Sequence, residues 1–330
     1  MIVTLTPNPS IDRTVEVDGI RRGAVSRATG GRVDSGGKGV NIAAALAAHG
    51  HPVTAVFPCG GSEGAQLEKL LKDEGIPSVQ VPIAGSTRAN ISIVEPDGTV
   101  TKLNELGPQL APAEIEELIQ ATIDSALDAE WVVACGSLPL GVADDFYALI
   151  VDRLAGSDTR VAVDTSGAAL LKTLSTNPDV VKPNIDELSE ATGIGIVTLG
   201  DAIEAARALR DFGAGTVIAT LGGDGALYVD GLETVHAEAP VERPRSSVGA
   251  GDALLAGFLC NGGRGVDAFA TGVAWAAAAV GQPGTRMPGP EEIDVSIVRV
   301  HDDVRTERVL GGRGSITESE AETLEFGGRE

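Results

Sequence analysis

The stretch Ser246-Ser247-Val248-Gly249-Ala250-Gly251-Asp252-Ala253-Leu254-Leu255-Ala256-Gly257-Phe258 is a glycine-rich turn that runs directly into an apolar helix. Such a junction leaves backbone N–H groups without intrahelical partners, and with the positive end of the helix dipole they form a site for an anion. Its small residues let a phosphate approach the main chain. Asp252 is the informative member, because a carboxylate beside a phosphate site is repulsive unless it has a role there. A base that removes the proton of an attacking hydroxyl as a phosphoryl group arrives is such a role. The plainer reading is that Asp252 only caps the helix. The dinucleotide fingerprint G-x-G-x-x-G does not fit, since Leu254 stands where its third glycine belongs.

Other loops of similar character lie upstream. Ser35-Gly36-Gly37-Lys38-Gly39-Val40-Asn41 is again a glycine turn entering a helix, but Gly39 after Lys38 rules out a Walker A loop. Lys38 and Asn41 offer donors to sugar hydroxyls or a phosphate. Lys182-Pro183-Asn184, with Glu187 three residues on, follows the strand-like Val180-Val181, and Leu221-Gly222-Gly223-Asp224-Gly225 follows Thr216 to Thr220. Each alone is an ordinary turn. In an open α/β sheet, however, ligands bind beyond the carboxyl ends of the strands, where these loops converge.

The rest of the chain supports such a sheet. Strands are expected at Ile2 to Thr6, Val53 to Phe57, Trp131 to Ala134, Val161 to Asp164, Val180 to Lys182 and Val217 to Leu221. Helices are expected at Val40 to Ala48, Ala65 to Glu74, Ala113 to Ala126, Ala143 to Leu154, Asp186 to Thr192, Asp201 to Phe212 and Asp252 to Cys260. This rhythm favours a doubly wound, mostly parallel α/β sheet over a barrel, which needs eight strand–helix units. Two stretches break it. Asp12 to Val17 and Ala89 to Asn104 alternate apolar and polar residues, the second around the turn Pro96-Asp97-Gly98, and are placed in a small β-sheet lid.

The chain has 330 residues, 47 Asp+Glu against 25 Lys+Arg, and a formal net charge of -22. This field repels nucleic acid and anionic lipid, so no nucleic-acid or membrane partner is expected. With only 6 Lys among the basic residues, the surface suggests a protein adapted to high salt. Cys59, Cys135 and Cys260 are far apart and read as free thiols in a reducing, cytoplasmic compartment. The opening MIVTLTPNPS has no signal-peptide pattern, and the longest apolar run, Ala268 to Val280, is too short to span a bilayer. One domain is expected over residues 1–304, with lid strands within about 11–29 and 86–105 and an acidic, mobile tail over 305–330.

Taken together, Gly36-Gly37-Lys38-Gly39-Val40-Asn41-Ile42-Ala43, Lys182-Pro183-Asn184 and Gly249-Ala250-Gly251-Asp252 resemble the ribokinase-like (pfkB) carbohydrate kinases over about residues 1–304. Thr6-Pro7-Asn8-Pro9-Ser10-Ile11-Asp12, Gly136-Ser137-Leu138-Pro139-Leu140-Gly141 and Asp164-Thr165-Ser166-Gly167 are most similar to the 1-phosphofructokinase and tagatose-6-phosphate kinase branch. Leu106-Gly107-Pro108 departs from the Pro-Gly-Pro frequent in that branch.

The resemblance implies roles for particular residues. Asp252 matches the catalytic base, and the amides of Gly249, Ala250, Gly251 and Asp252 the anion hole. Asp12, Gly37, Lys38 and Asn41 match sugar-binding positions, with Ser137 beside one, and Arg88 with Asn90 matches the holder of the sugar's phosphate. Lys182, Asn184, Thr220, Gly222, Gly223 and Gly225 match ATP-binding positions, with Val273 and Ala277 at the adenine and Glu187 acting indirectly on Mg²⁺. Carbonyls near Ser246, Val248, Ala279, Gln282 and Gly284 resemble a monovalent-cation loop, with K⁺ the candidate ion.

The implied reaction is ATP-dependent phosphorylation of a ketose phosphate, with D-fructose 1-phosphate the leading substrate and tagatose 6-phosphate or fructose 6-phosphate the alternatives. A non-catalytic sugar-phosphate sensor on the same fold is the reading from a different class, and pairing of two lids makes a homodimer the expected assembly.

Overall fold

The computed structural model describes residues 1–311. In chain order the first half holds β1 (Ile2–Leu5), β2 (Ser10–Val17), β3 (Ala28–Gly36), α1 (Lys38–Ala48), β4 (Val53–Cys59), α2 (Gly61–Asp73), β5 (Ser78–Pro82), β6 (Arg88–Val94), β7 (Val100–Asn104) and α3 (Pro112–Ser125). There follow β8 (Trp131–Cys135), α4 (Phe146–Leu154), β9 (Arg160–Asp164), α5 (Gly167–Leu174), β10 (Val180–Val181), α6 (Ile185–Thr192), α7 (Leu199–Asp211) and β11 (Thr216–Thr220). The last are β12 (Ala226–Val229), β13 (Thr234–Glu238), α8 (Ala250–Cys260), α9 (Gly265–Val280) and β14 (Arg299–His301).

Ten strands form one sheet in the order β14-β13-β12-β11-β10-β9-β8-β1-β4-β5, parallel from β5 to β11 and antiparallel beyond. The central strands Ile2-Val3-Thr4-Leu5 and Trp131-Val132-Val133-Ala134-Cys135 are buried at every residue, as a strand covered on both faces must be. Helices α3 to α7 supply apolar residues to one face, among them Leu118, Phe146, Leu170, Leu188 and Leu209. Helices α1, α2, α8 and α9 supply the other, with Leu46, Leu67, Phe258 and Phe269. Strand β1 lies between β4 and β8, so the sheet grows first to one side and then to the other. The crevice at this switch point, beyond the carboxyl ends of the strands, is where an open α/β sheet takes its ligand.

The lid is a separate four-stranded sheet in the order β3-β2-β6-β7. Its β6–β7 connection closes through Gly98 N–H donating to the Glu95 carbonyl at 3.0 Å, the turn expected at Pro96-Asp97-Gly98. Parallel pairing of β2 with β6 sets Ser10 opposite Arg88 and Asp12 opposite Asn90, so the expected sugar-binding side chains share one patch of the lid.

Several elements differ from the sequence reading. Strand β3 was not foreseen, because Ala28-Thr29-Gly30-Gly31-Arg32 lacks the apolar alternation of a half-buried strand; these residues are exposed and held by main-chain pairing with β2. The antiparallel edge β12-β13-β14 and helix α5 were also missed, and α9 turns the apolar run Ala268 to Val280 into a core helix packed on α8. No helix among the described residues is long and apolar enough to cross a membrane. The chain also stays attached to the body past residue 304: Leu310 N–H donates to the Val197 carbonyl at 2.9 Å. Such pairing holds residues 305–311 in place, and the remainder of the expected tail lies outside the described residues. Cys59, Cys135 and Cys260 are free thiols, as expected.

Candidate active site

Helix α8 begins at Ala250, with Gly249 as its N-cap, so Asp252 lies in the first turn and makes no side-chain cap. The capping reading therefore fails. The carboxylate turns inward, 7% exposed, and accepts a hydrogen bond from Asn41 Nδ2 of α1 at 2.8 Å. Burial, and then the negative charge of Asp164, push its pKa up to about 6; Lys182, Asn41 and Lys38 pull the other way. The first-turn N–H groups of α8 have no partners inside the helix and open beside this carboxylate.

Asp164, at the end of β9, is fully buried between two lysines. Lys38 Nζ lies 2.7 Å from one of its oxygens and Lys182 Nζ 3.0 Å from the other. Burial opposes ionisation of Asp164, but Lys182 and then Lys38 outweigh it and hold its pKa below the usual value. Lys38 is likewise kept protonated: burial works against its charge, while Asp164 and Glu187 raise its pKa. Lys182 is 5% exposed, whereas a third of Lys38 remains open to a ligand. Gly251 permits this arrangement, since a Cβ there would stand 3.0 Å from Lys182 Nζ. Two cations thus sit near the anion-binding helix end, one carboxylate neutralising them in part.

The lid closes the other side. Asp12 Oδ1 accepts hydrogen bonds from Ser10 Oγ at 2.7 Å and Asn90 Nδ2 at 3.0 Å. Asn8 Nδ2 donates to Ser137 Oγ at 3.2 Å. Arg88 donates to the Glu105 carbonyl at 3.0 Å and the Asn8 carbonyl at 3.1 Å, and burial lowers its pKa against the pull of Asp12 and Glu105. Arg88 Nε, Asn8 Oδ1 and Asn90 Oδ1 are buried without a partner. Unsatisfied buried polar atoms are rare, and three in one patch fit a ligand rich in hydroxyl and phosphate oxygens. Gly37 joins lid to body with φ 113°, and a Cβ there would stand 2.7 Å from the Thr6 methyl group, so no other residue fits.

Across α8 lies a cleft of about 590 Å³. Thr220, Gly222, Gly223 and Gly225 line one part of it, and Val273 and Ala277 of α9 another. Residues Ala239, Pro240, Val241 and Pro244 also line it; they carry no motif and were missed. Ala250 and Gly251 also line it, so the cleft reaches the start of α8, where Asp252 meets Asn41. Asn184 caps α6 by accepting from the Glu187 N–H, and the Glu187 carboxylate accepts from the Asn184 N–H, both at 2.8 Å. The other Glu187 oxygen lies 3.8 Å from Lys38 Nζ. Of the expected cation loop, Ser246 N–H donates to the Val280 carbonyl at 3.2 Å and Gln282 N–H to that of Ala279 at 2.9 Å. Val248 lies two residues along, and Gly284 seats the Arg32 guanidinium from the lid.

Asp164 is the functional residue that sequence reasoning undervalued. It entered only within Asp164-Thr165-Ser166-Gly167, and its position at the end of an expected strand was the signal the sequence carried.

A polar lid patch with unpartnered buried atoms, a buried carboxylate of raised pKa, two lysines and a largely apolar cleft are the parts a phosphotransferase site requires. Residues 6–292 match the pfkB family carbohydrate kinase model, and the chain belongs to that family. It is 38% identical to the 1-phosphofructokinase of Haloferax volcanii, over 93% of this chain and 99% of that one. It is 37% identical to the ATP-dependent 6-phosphofructokinase isozyme 2 of Mycobacterium tuberculosis, over 89% of this chain and 88% of that one. The crystal structure of Escherichia coli phosphofructokinase-2 in complex with potassium superposes with a TM-score of 0.81 at 32% identity, covering 88% of this chain and 96% of that one.

Proposed function

We propose that the protein transfers the γ-phosphoryl group of ATP to the free primary hydroxyl of D-fructose 1-phosphate, giving fructose 1,6-bisphosphate. The observation that carries this reading is the Asp252 carboxylate, buried in the first turn of α8 against Asn41 and next in the chain to Ala250 and Gly251 of the cleft, with a pKa of about 6. At neutral pH it is largely ionised yet basic enough to take the hydroxyl proton as the O–P bond forms. The proton moves to Asp252, the phosphoryl group to the sugar oxygen, and ADP leaves. Asn41 orients the carboxylate. Lys38 and the first-turn amides of α8 face the charge that builds on the transferred group. Lid closure excludes water, which otherwise competes as acceptor.

Mg²⁺ belongs to this reading as a partner of the nucleotide. No three His, Cys, Asp or Glu side chains gather into a metal cluster among the described residues. This fits an ion carried mainly by phosphate oxygens, as Mg²⁺ is in many kinases, with Glu187 at its edge. Bound there, it neutralises phosphate charge. We assign K⁺ to the Ser246–Val248 and Ala279–Gly284 carbonyls, by likeness to the potassium-bound relative.

Arg88 distinguishes a phosphorylated sugar from a neutral one. Arg88→Ala should raise KM for fructose 1-phosphate by about 10–100-fold, the worth of charge-assisted hydrogen bonds, while leaving kcat nearly unchanged. Steady-state kinetics with fructose 1-phosphate and with fructose check this, and an equal loss on both sugars contradicts it. The runner-up is fructose 6-phosphate, favoured by the likeness to the 6-phosphofructokinase isozyme.

We infer a homodimer of a cytoplasmic enzyme that pairs through the lid, where exposed Val33 and Leu103 share one cross-strand row with Ile91. Light scattering at working salt should give twice the chain mass, and a monomer contradicts the assembly. The charge of -22 fits a high-salt habitat, where a Debye length of about 3 Å at 1 M screens remote repulsion but spares close contacts. Thermal stability should therefore fall on removing salt; an unchanged melting curve excludes that adaptation.

A further inference from the structure

The residues after β14 turn back beside the nucleotide cleft. Leu199 N–H donates to the Arg308 carbonyl and Gly200 N–H to that of Thr306, both at 2.8 Å, and Val309 bridges to Thr198. The main chain of this segment is thereby tied to the start of α7. From that anchor Arg308 extends both arms: Nη1 donates to Glu238 at 2.9 Å and Nη2 to Asp224 Oδ1 at 3.1 Å. The other Asp224 oxygen accepts from Gly311 N–H at 2.8 Å. The Asp224 carbonyl accepts from Nε2 of buried His236 at 2.7 Å.

Asp224 closes the short turn Gly222–Asp224, and Gly222, Gly223 and Gly225 around it line the cleft. The turn is closed by its own backbone, with Leu221 N–H donating to the Gly225 carbonyl at 2.8 Å and Gly225 N–H to that of Gly222 at 3.2 Å, and Asp224 is the side chain that ties it to the segment of residues 308–311. We propose that Arg308 is a positioning residue for ATP, acting through Asp224 on the glycine turn of residues 222–225. Arg308 does not itself line the cleft, and the segment lies outside residues 6–292 of the family match. The proposal rests on the reading of this cleft as the nucleotide site. With a third of the arginine side chain exposed, this pair contributes modestly to global stability. Without it the turn loses its side-chain tether to Arg308, the nucleotide must restore its position on binding, and affinity falls.

The test is calorimetric titration of the full-length protein with Mg·ATP, alongside steady-state kinetics. Arg308→Ala should weaken ATP binding and raise KM for ATP about tenfold, with kcat and KM for the sugar phosphate within about twofold of wild type. Arg308→Lys, which retains one contact, should fall between. Adding Asp224→Asn to Arg308→Ala should produce little further loss, because both act through one contact. Unchanged ATP affinity in Arg308→Ala overturns the proposal, as do parallel losses in Tm, kcat and both KM values. A wild-type protein that fails to bind Mg·ATP removes the nucleotide reading itself, and this proposal with it.

Discussion

Asp252→Asn should lower kcat by about 10²–10⁴-fold, the usual contribution of general-base catalysis, with KM for the sugar phosphate nearly unchanged. The amide keeps the size of the carboxylate and still accepts from Asn41, so the change removes basicity alone. The same variant should be more stable than wild type at neutral pH. A carboxyl whose folded pKa is raised contributes most to stability below its unfolded value of 3.8 and loses that contribution as pH rises through about 6. The Tm gain of Asp252→Asn should therefore be absent below about pH 3, grow between about pH 4 and pH 6, and level off above that. In wild type, kcat should fall on the acid side with an apparent pKa near 6. Turnover retained within about tenfold would remove Asp252 from the base role.

Asp164→Ala should be the most destabilising substitution in the site. Removing the carboxylate takes from Lys182, 5% exposed, and Lys38 the counter-charge that each touches within 3.0 Å, leaving Glu187 at 3.8 Å from Lys38 as the nearest salt-bridge partner. Breaking a buried pair in this way costs about 3–5 kcal/mol, a large fraction of a domain's stability. The depressed pKa of Asp164 adds a pH signature. Its stabilisation is present above the unfolded carboxyl value and is lost as pH falls through the lower folded one. The wild-type advantage over Asp164→Ala should thus hold at neutral pH and shrink in strong acid. Equal denaturation midpoints for the two at pH 7 would show that the lysines do not depend on Asp164.

Much of this was legible in the sequence. The parallel core follows from β-branched runs such as Ile2-Val3-Thr4 and Val161-Ala162-Val163, because a strand buried on both faces has few other solutions. The glycine turns before α1 and α8 were legible because backbone conformation and anion binding both constrain those positions. Strand β3 was not, since its glycines carry no pattern and its neighbours alone hold it. The cleft wall at Ala239–Pro244 and the Arg308 contact with Asp224 depend on tertiary packing between distant segments, which local periodicity does not encode. Asp164 shows the same limit: its residue type was visible, but its place between Lys38 and Lys182 comes from the meeting of β9 with α1 and the end of β10.

The most direct test of the account is an ADP-release assay with Mg·ATP and, separately, fructose 1-phosphate, fructose 6-phosphate, tagatose 6-phosphate and fructose. The account predicts the highest kcat/KM with fructose 1-phosphate and the lowest with fructose. Release of no ADP with any of the four sugars would contradict it and leave a sugar-phosphate sensor in its place.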